Sequence, residues 1–258
     1  MDDHEIKALN MPGASHPEPA NKELEVACVG DAIDSALEDE TAQNFCDANI
    51  WRLTPWVSFQ LGCAAEYYGK YQEVKNALKI AHFSVEVARR IQDPVRFCSN
   101  LVTLGNTYFR LNENEKSLAN YQAAIQYSDP VESPEATAAL MGMANSLQRL
   151  DRNHEATIAF EAGYLRLRGS LNEVERRQIA TSLAGLCKRS YDVGGAYFAI
   201  CEFDKVAADK ILFANSLDQM TYDEAVSIHT RLLGLGMGKD ARRLRDSWLE
   251  ANVEIEGD

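Results

Sequence analysis

Residues 104–125 read LGNTYFRLNENEKSLANYQAAI, and this stretch decides the fold. The pair Leu104-Gly105 is followed, three residues after the glycine, by Tyr108. Ser117 stands twelve after the glycine, and Tyr121 and Ala124 come four and seven beyond the serine. The same template recurs along the chain. Its small residue is Gly62, Gly105, Ala144 and Ala184, preceded by Leu61, Leu104, Met143 and Leu183. Three residues on come Ala65, Tyr108, Leu147 and Cys187, and twelve on come Val74, Ser117, Ala156 and Ala196. The bulky position beyond is Leu78, Tyr121, Phe160 and Ile200. A degenerate fifth copy has His229 for the small residue but keeps Leu232, Ala241 and Trp248; the copies are spaced by 43, 39, 40 and 45 residues.

A small residue at this spacing lets two helices of a hairpin approach closely, and the bulky residues fill the groove between them. Each hairpin then keeps an apolar face that only a neighbouring hairpin can cover, so the copies stack. Helix starts fall where the template needs them. Thr54-Pro55, Asp93-Pro94 and Ser133-Pro134 each place a capping side chain before a proline at the first helical position. Ser170-x-x-Glu173 and Thr221-x-x-Glu224 have capping-box spacing. No proline follows Pro134, and alternating β-branched runs around Asn-Gly are missing. The expected fold is all-α.

The pattern resembles the tetratricopeptide repeat (TPR) in its longer form of about 40 residues, over residues 51–252. The resemblance implies a right-handed α-solenoid of about five TPR-like helical hairpins with an N-terminal capping helix. Two registers compete in the fourth copy. One is centred on Ala184; the other takes Val193-Gly194 and Tyr197 as its Leu-Gly-Tyr equivalent and makes residues 171–200 one helix. The Ala184 register keeps the spacing near 40 and is preferred. The departure at His229 marks the last hairpin as a cap. Residues 1–21, with Pro12, Pro17 and Pro19, read as a flexible acidic tail. Residues 22–50 read as an acidic capping helix, with Val26, Val29, Ile33 and Leu37 at helical spacing, and 253–258 as an acidic C-terminal tail.

The 258-residue chain carries a formal net charge of −13, placed unevenly. Residues 1–50 hold 12 acidic side chains against two lysines, whereas 51–249 hold 24 basic and 23 acidic ones. The acidity belongs to the ends. That balance disfavours a general nucleic-acid binder and adhesion to anionic lipid. The N-terminus MDDHEIKALN is acidic where a secretory signal needs a basic start, and no apolar run approaches the ~18 residues of a membrane span. A cytoplasmic protein is expected. Six cysteines are scattered without a CxxC pair, and five histidines lack metal-ligand spacing. Buried reduced thiols, no disulfide, no metal and no cofactor are the expectation.

No catalytic signature is found: HExxH, G-x-S-x-G and a P-loop are all missing. GLGMGKD at 234–240 has Leu233 where the first P-loop glycine belongs and Asp240 where Ser or Thr must meet magnesium. It reads as a turn between helices. A non-enzyme is expected.

The resemblance implies a concave groove lined by the first helix of each hairpin, with the residues one and five after the small residue facing it. Those are Cys63, Asn106, Asn145, Gly185 and Thr230, then Tyr67, Arg110, Arg149, Arg189 and Gly234. Asn106/Arg110 and Asn145/Arg149 each lie on one helix face, and Arg189, beside Lys188, continues the series. Asparagine amides offer a donor and an acceptor to a peptide backbone, and arginine forks bind carboxylates in a bidentate manner. Tyr67, Phe109, Trp56 and Phe59 are candidate aromatic anchors. Against this, arginine in a last helical turn also favours the negative end of the helix dipole. The pairs Arg89-Arg90, Arg176-Arg177 and Arg242-Arg243 read as solvated faces.

The leading expectation is an adaptor or regulator holding an acidic, extended or helical protein segment; a homo-oligomer is left open. Two alternatives stand beside it: a peptide- or partner-responsive module of a signalling or transcription system, and an inhibitor or immunity protein neutralising a basic partner. The acidic N-terminal segment is also a candidate to fold back onto the arginine row and compete with the partner.

Overall fold

The computed structural model describes residues 20–71, 73–128, 133–202, 204–213 and 217–253. The tails proposed at 1–21 and 253–258 lie almost entirely outside these residues. Among the described residues the chain is all-α, with thirteen α-helices and two short 3-10 turns. They are α1 (Lys22–Leu37), α2 (Ala42–Asn49), α3 (Pro55–Tyr71), α4 (Val74–Arg90), α5 (Pro94–Arg110), α6 (Asn114–Tyr127) and α7 (Pro134–Arg149). Then follow α8 (Asn153–Leu167), α9 (Glu173–Arg189), α10 (Val193–Cys201), α11 (Lys205–Leu212), α12 (Tyr222–Gly234) and α13 (Gly238–Val253). The five repeat copies correspond to α3–α4, α5–α6, α7–α8, α9–α10 and α12–α13. The chain divides into two compact units between Asp151 and Arg152.

In the first unit α3 packs on α4, α4 on α5, α5 on α6 and α6 on α7, while α3, α5 and α7 also touch in series. That is solenoid stacking: first helices form one row and second helices the other. Gly105 shows why the template needs its small residue. A Cβ there would sit 2.7 Å from Tyr121 Cε1. The Ser117 hydroxyl donates to the Gly105 carbonyl at 2.8 Å, so α5 and α6 meet backbone to side chain. Ser117, Ala156 and Ala196 are each the fourth residue of a second helix and are fully buried or nearly so.

The first copy is displaced from the sequence register by three residues. Val74 opens α4 and is only half-buried, whereas the fourth residue, Ala77, is fully buried. Twelve before Ala77 stands Ala65, also fully buried, and Tyr68 takes the place that Tyr108 has in the second copy. The copies are then spaced by 40, 39, 40 and 45 residues. Leu61-Gly62 imitates the motif because Gly62 is small for another reason. A Cβ there would lie 2.6 Å from the Asn100 amide oxygen. Asn100 is buried and donates to Ser58 Oγ at 2.9 Å and to the Ser84 carbonyl at 2.8 Å, a polar staple joining α3, α4 and α5.

The fourth copy takes the Ala184 register. α9 stops at Arg189, and Tyr191 turns the chain with φ +58° before α10 begins. The long-helix alternative is excluded. Its second helix is short, α10 giving way to α11, which accounts for the wider spacing to the fifth copy. Asn112, Asp151, Tyr191 and Gly236 all occupy the same left-handed position two residues beyond a first helix. In three of these turns the closing amide reaches back six to one: Glu113 to Tyr108, Asp192 to Cys187 and Met237 to Leu232. GLGMGKD is therefore the turn between α12 and α13.

Thr54, Asp93 and Ser133 cap their helices through side-chain oxygens, and Thr221 with Glu224 forms a full capping box. The Ser170–Glu173 box does not form. Asn172 caps α9, with Glu175 closing the box, while the Ser170 hydroxyl donates to the Leu167 carbonyl and finishes α8. Both pairs have the same spacing, and the asparagine stands next to the helix.

The N-terminal segment is two helices, broken at Asp39 (φ +64°). α1 packs on α3 and α4, and α2 on α4. Cys28, Ala32, Phe45 and Cys46 join Leu61, Ile80 and Val87 in one core, with Phe45 and Phe83 rings 5.7 Å apart. Three carboxylates of this acidic segment pair with the first copy or the turn before it: Asp31 with Arg52 (2.7 Å), Asp39 with Lys79 (2.6 Å) and Asp47 with Arg90 (2.6 Å). All six cysteines are free; Cys63 and Cys201 are half-buried and the rest buried.

Candidate binding face

The corrected register defines two rows of equivalent positions on the last turns of the first helices. The first is Glu66, Asn106, Asn145 and Gly185; the second is Lys70, Arg110, Arg149 and Arg189. The sequence reading placed Cys63 and Tyr67 in these rows for the first copy. The structure puts Glu66 and Lys70 there instead. Tyr67 is half-buried and stacks with its own helix neighbours, Tyr68 (centroids 6.3 Å) and Tyr71 (5.3 Å).

Within the first unit these side chains form a connected chain. Asn106 is held on both sides: its amide donates to Glu66 Oε1 at 3.1 Å, and its oxygen accepts from the Tyr121 hydroxyl at 2.7 Å. Tyr121 is almost fully buried, and burial pushes its hydroxyl up to about 12, so it remains a donor. Arg110 donates to the other Glu66 oxygen at 3.0 Å. Glu66 thus collects the second-copy asparagine and arginine together. Arg110 lies across Gly69, where any Cβ would collide with its Nη1.

Arg149 is placed differently. Its guanidinium sits over the Phe109 ring, 3.6 Å from the centroid, and donates to the Phe109 carbonyl (2.9 Å) and to Asn112 Oδ1 (2.8 Å). It closes the C-terminal end of α5, where carbonyls lack intrahelical partners. Phe109 is therefore a platform for Arg149. Trp56 packs against the N-terminal core, and Phe59 lies under the Arg96 guanidinium at 5.2 Å.

A guanidinium has five N–H donors. Arg110 spends one and Arg149 two on the neighbouring copy, so both retain donors for a guest. Asn145, Lys188 and Arg189 are exposed and make no side-chain hydrogen bond or ion pair among the described residues. The sequence reading missed Glu66, Lys70 and Gly69. The signal that finds them is the 40-residue spacing from Gly105 back to Ala65.

The second unit carries two further polar clusters. Arg231 bridges Glu161 and Asp192 (2.9 Å to the latter). Burial works against its charge, but the two carboxylates outweigh it and raise its pKa. Lys205, Tyr197 and Asp209 converge on Asp240 and Arg243, with Lys205 2.7 Å from Asp240. Among the described residues no group of three or more His, Cys, Asp or Glu side chains is placed to hold a metal ion. No described helix is long and apolar enough to cross a membrane.

No protein-family model matches the chain, and no curated protein matches it in sequence. Solved structures do. A kinesin light chain-like protein of Podosopora anserina with nearly identical TPR-like repeats superposes with a TM-score of 0.50 at 14% identity, over 77% of this chain and 96% of that one. BtubC (BKLC) from P. vanneervenii superposes with a TM-score of 0.51 at 15% identity, over 93% of this chain and 94% of that one. The likeness is one of fold. The chain folds as a TPR-like repeat protein.

Proposed function

We propose that the chain is a non-enzymatic adaptor or regulator in the cytoplasm that holds an acidic protein segment, extended or helical, against the last turns of its first helices. One observation carries this reading: a basic side chain occupies the same position in four successive copies, Lys70, Arg110, Arg149 and Arg189. At 40-, 39- and 40-residue spacing this is a property of the repeat. Asn145 and the remaining arginine donors suit the carbonyls and carboxylates of a guest.

Arg149→Glu would confound binding with the loss of the α5 cap, so the discriminating variants are Lys188→Glu and Arg189→Glu. Fluorescence polarisation with a fluorescein-labelled peptide of alternating Glu and Ala reads the effect on the full chain. The double variant is expected to weaken binding at least tenfold at low salt with unchanged helical content. Equal affinity in the variant and the parent refutes the basic row as the binding face.

A further inference from the structure

The last hairpin leaves an apolar outer face exposed. On α12, Tyr222, Val226 and Leu233 are exposed and His229 is half-buried; on α13, Leu249 is exposed. A cleft of about 230 Å³ between the two helices is walled by Val226, His229, Trp248 and Leu249. Val102 shows what the same position does in the second copy. It precedes Gly105 by three residues, as Val226 precedes His229. Val102 is 3% exposed, in one core with Tyr121 of its own hairpin and Ala139 of the next. Val226 is 43% exposed. The stripe on α12 is therefore the seat of a further hairpin. A terminal repeat that only caps a solenoid turns a polar face outward, and this one does not.

The spacing of the stripe limits what fits it. Tyr222, Val226, His229 and Leu233 are separated by four, three and four residues, the interval of a helix–helix seam. That series reads the same from either end. An identical helix running antiparallel matches it throughout, with Tyr222 level with Leu233 and Val226 level with His229 across the axis.

The charges have the same symmetry. Lys239 and Arg242 open α13 and Glu250 lies near its end; all three are exposed and make no side-chain hydrogen bond or ion pair among the described residues. Arg245, between them, is paired with Asp246 at 2.7 Å. Arg242 and Glu250 are about 12 Å apart along the helix axis, too far to pair within one chain. A two-fold axis at the level of Arg245 reverses α13 and brings the bases of one copy level with the acid of the other. Arg245 borders the same cleft as Val226 and His229, so one axis serves both helices. We infer that this face is the contact between two copies of the chain, with α12 and α13 of one stacked antiparallel on α12 and α13 of the other. A foreign helix of one charge sign fits it less well, because the face carries both signs, each at its own end. The face shares no residue with the basic row.

Sedimentation velocity of the full chain over a hundredfold range of concentration reads the contact. The parent should pass from monomer to dimer and no further, since a two-fold contact closes on itself. Val226→Glu should weaken dimerisation at least tenfold with unchanged circular dichroism. His229→Leu, which puts an apolar side chain in the middle of the seam, should strengthen it at least threefold. Arg242→Glu and Glu250→Arg should each weaken it, and the two together should restore it, because these side chains can meet only between copies. A monomer at every concentration overturns the contact, as does a dimer that Val226→Glu leaves unchanged. Growth beyond the dimer overturns the two-fold arrangement, and a double variant no better than the singles overturns its register. A monomeric parent that instead takes up a helix of another protein, with uptake lost in Val226→Glu, assigns the face to a foreign partner and overturns the self-contact.

Discussion

Gly142→Ala is a sharp test of how the hairpins interlock, because the same chemical change at Gly30 should have the opposite sign. Both glycines lie inside helices, where alanine is favoured by about 1 kcal/mol. At Gly30, exposed in the middle of α1, an added Cβ meets nothing within 4 Å. Gly30→Ala should therefore stabilise by about 1 kcal/mol. At Gly142 the added methyl would lie 2.8 Å from the Tyr121 hydroxyl oxygen and closer still to the ring. That ring is 1% exposed, and it cannot retreat. On its other flank Gly105 is close enough that a Cβ there would touch the ring at 2.7 Å. Its hydroxyl is tied to Asn106 at 2.7 Å. Overpacking of this kind costs about 1–3 kcal/mol, and loss of the hydroxyl's hydrogen bond about 1 more. Set against the propensity gain, Gly142→Ala should destabilise by about 1–3 kcal/mol. Urea titration followed by circular dichroism measures both variants, with an unchanged slope showing that only stability moved. In a Tyr121→Leu background the penalty at Gly142 should vanish. A Gly142→Ala variant that raises the midpoint as Gly30→Ala does would refute the wedge between α6 and α7.

Three other outcomes follow from the same structure. Arg231→Gln leaves Glu161 and Asp192, with side chains 13% and 17% exposed, facing each other without a cation. It should lower stability by about 3 kcal/mol in urea titration, and adding Asp192→Asn should restore much of that; a double variant no better than the single would refute the pairing. Tyr191 is 91% exposed yet holds φ +58°, so Tyr191→Gly should raise stability by about 1 kcal/mol in the same assay. Burial pushes Cys46 and Cys187 up to about 12 from an ordinary 9.0. Their raised folded values mean that the associated stability is complete below pH 9 and lost as pH rises from 9 toward 12. Urea midpoints taken from pH 8 to 11 should fall accordingly, and replacing both with alanine should flatten that fall.

The number and spacing of the hairpins are legible in the sequence because close helix approach demands a small residue, and few residues are small. Gly105, Ala144 and Ala184 are where the spacing places them, and Asp93, Ser133 and Thr221 cap as their positions suggest. Two of the errors share one cause: two residues satisfying the same local rule. Gly62 and Ala65 are both small and three apart, and only the burial of Ala77 shows which one faces the second helix. Ser170 and Asn172 both have a glutamate three residues on. The break between α10 and α11 has no proline to announce it, and Asp39 splits the N-terminal segment at a position where any polar residue looks alike. The arginine row was legible as positions. Its partners were not, since the Glu66 link joins residues 40 and 44 apart and depends on the register of the first copy.

That register also changes what the charge pattern means. Three carboxylates of the acidic N-terminal helices, Asp31, Asp39 and Asp47, are paired with cations around the first copy. Moving along the repeats, the asparagine–arginine unit is used differently in each. At Asn106 and Arg110 it is bound by Glu66, an acid of this chain standing where an acidic guest would stand. At Arg149 part of the fork is spent on a helix end while Asn145 stays open. At Lys188 and Arg189 nothing among the described residues competes. Arg110 thus carries a counter-acid supplied by this chain, whereas Lys188 and Arg189 do not. An acidic segment should therefore lose most of its affinity to substitutions at Lys188 and Arg189, less to those at Asn145, and least to those at Asn106.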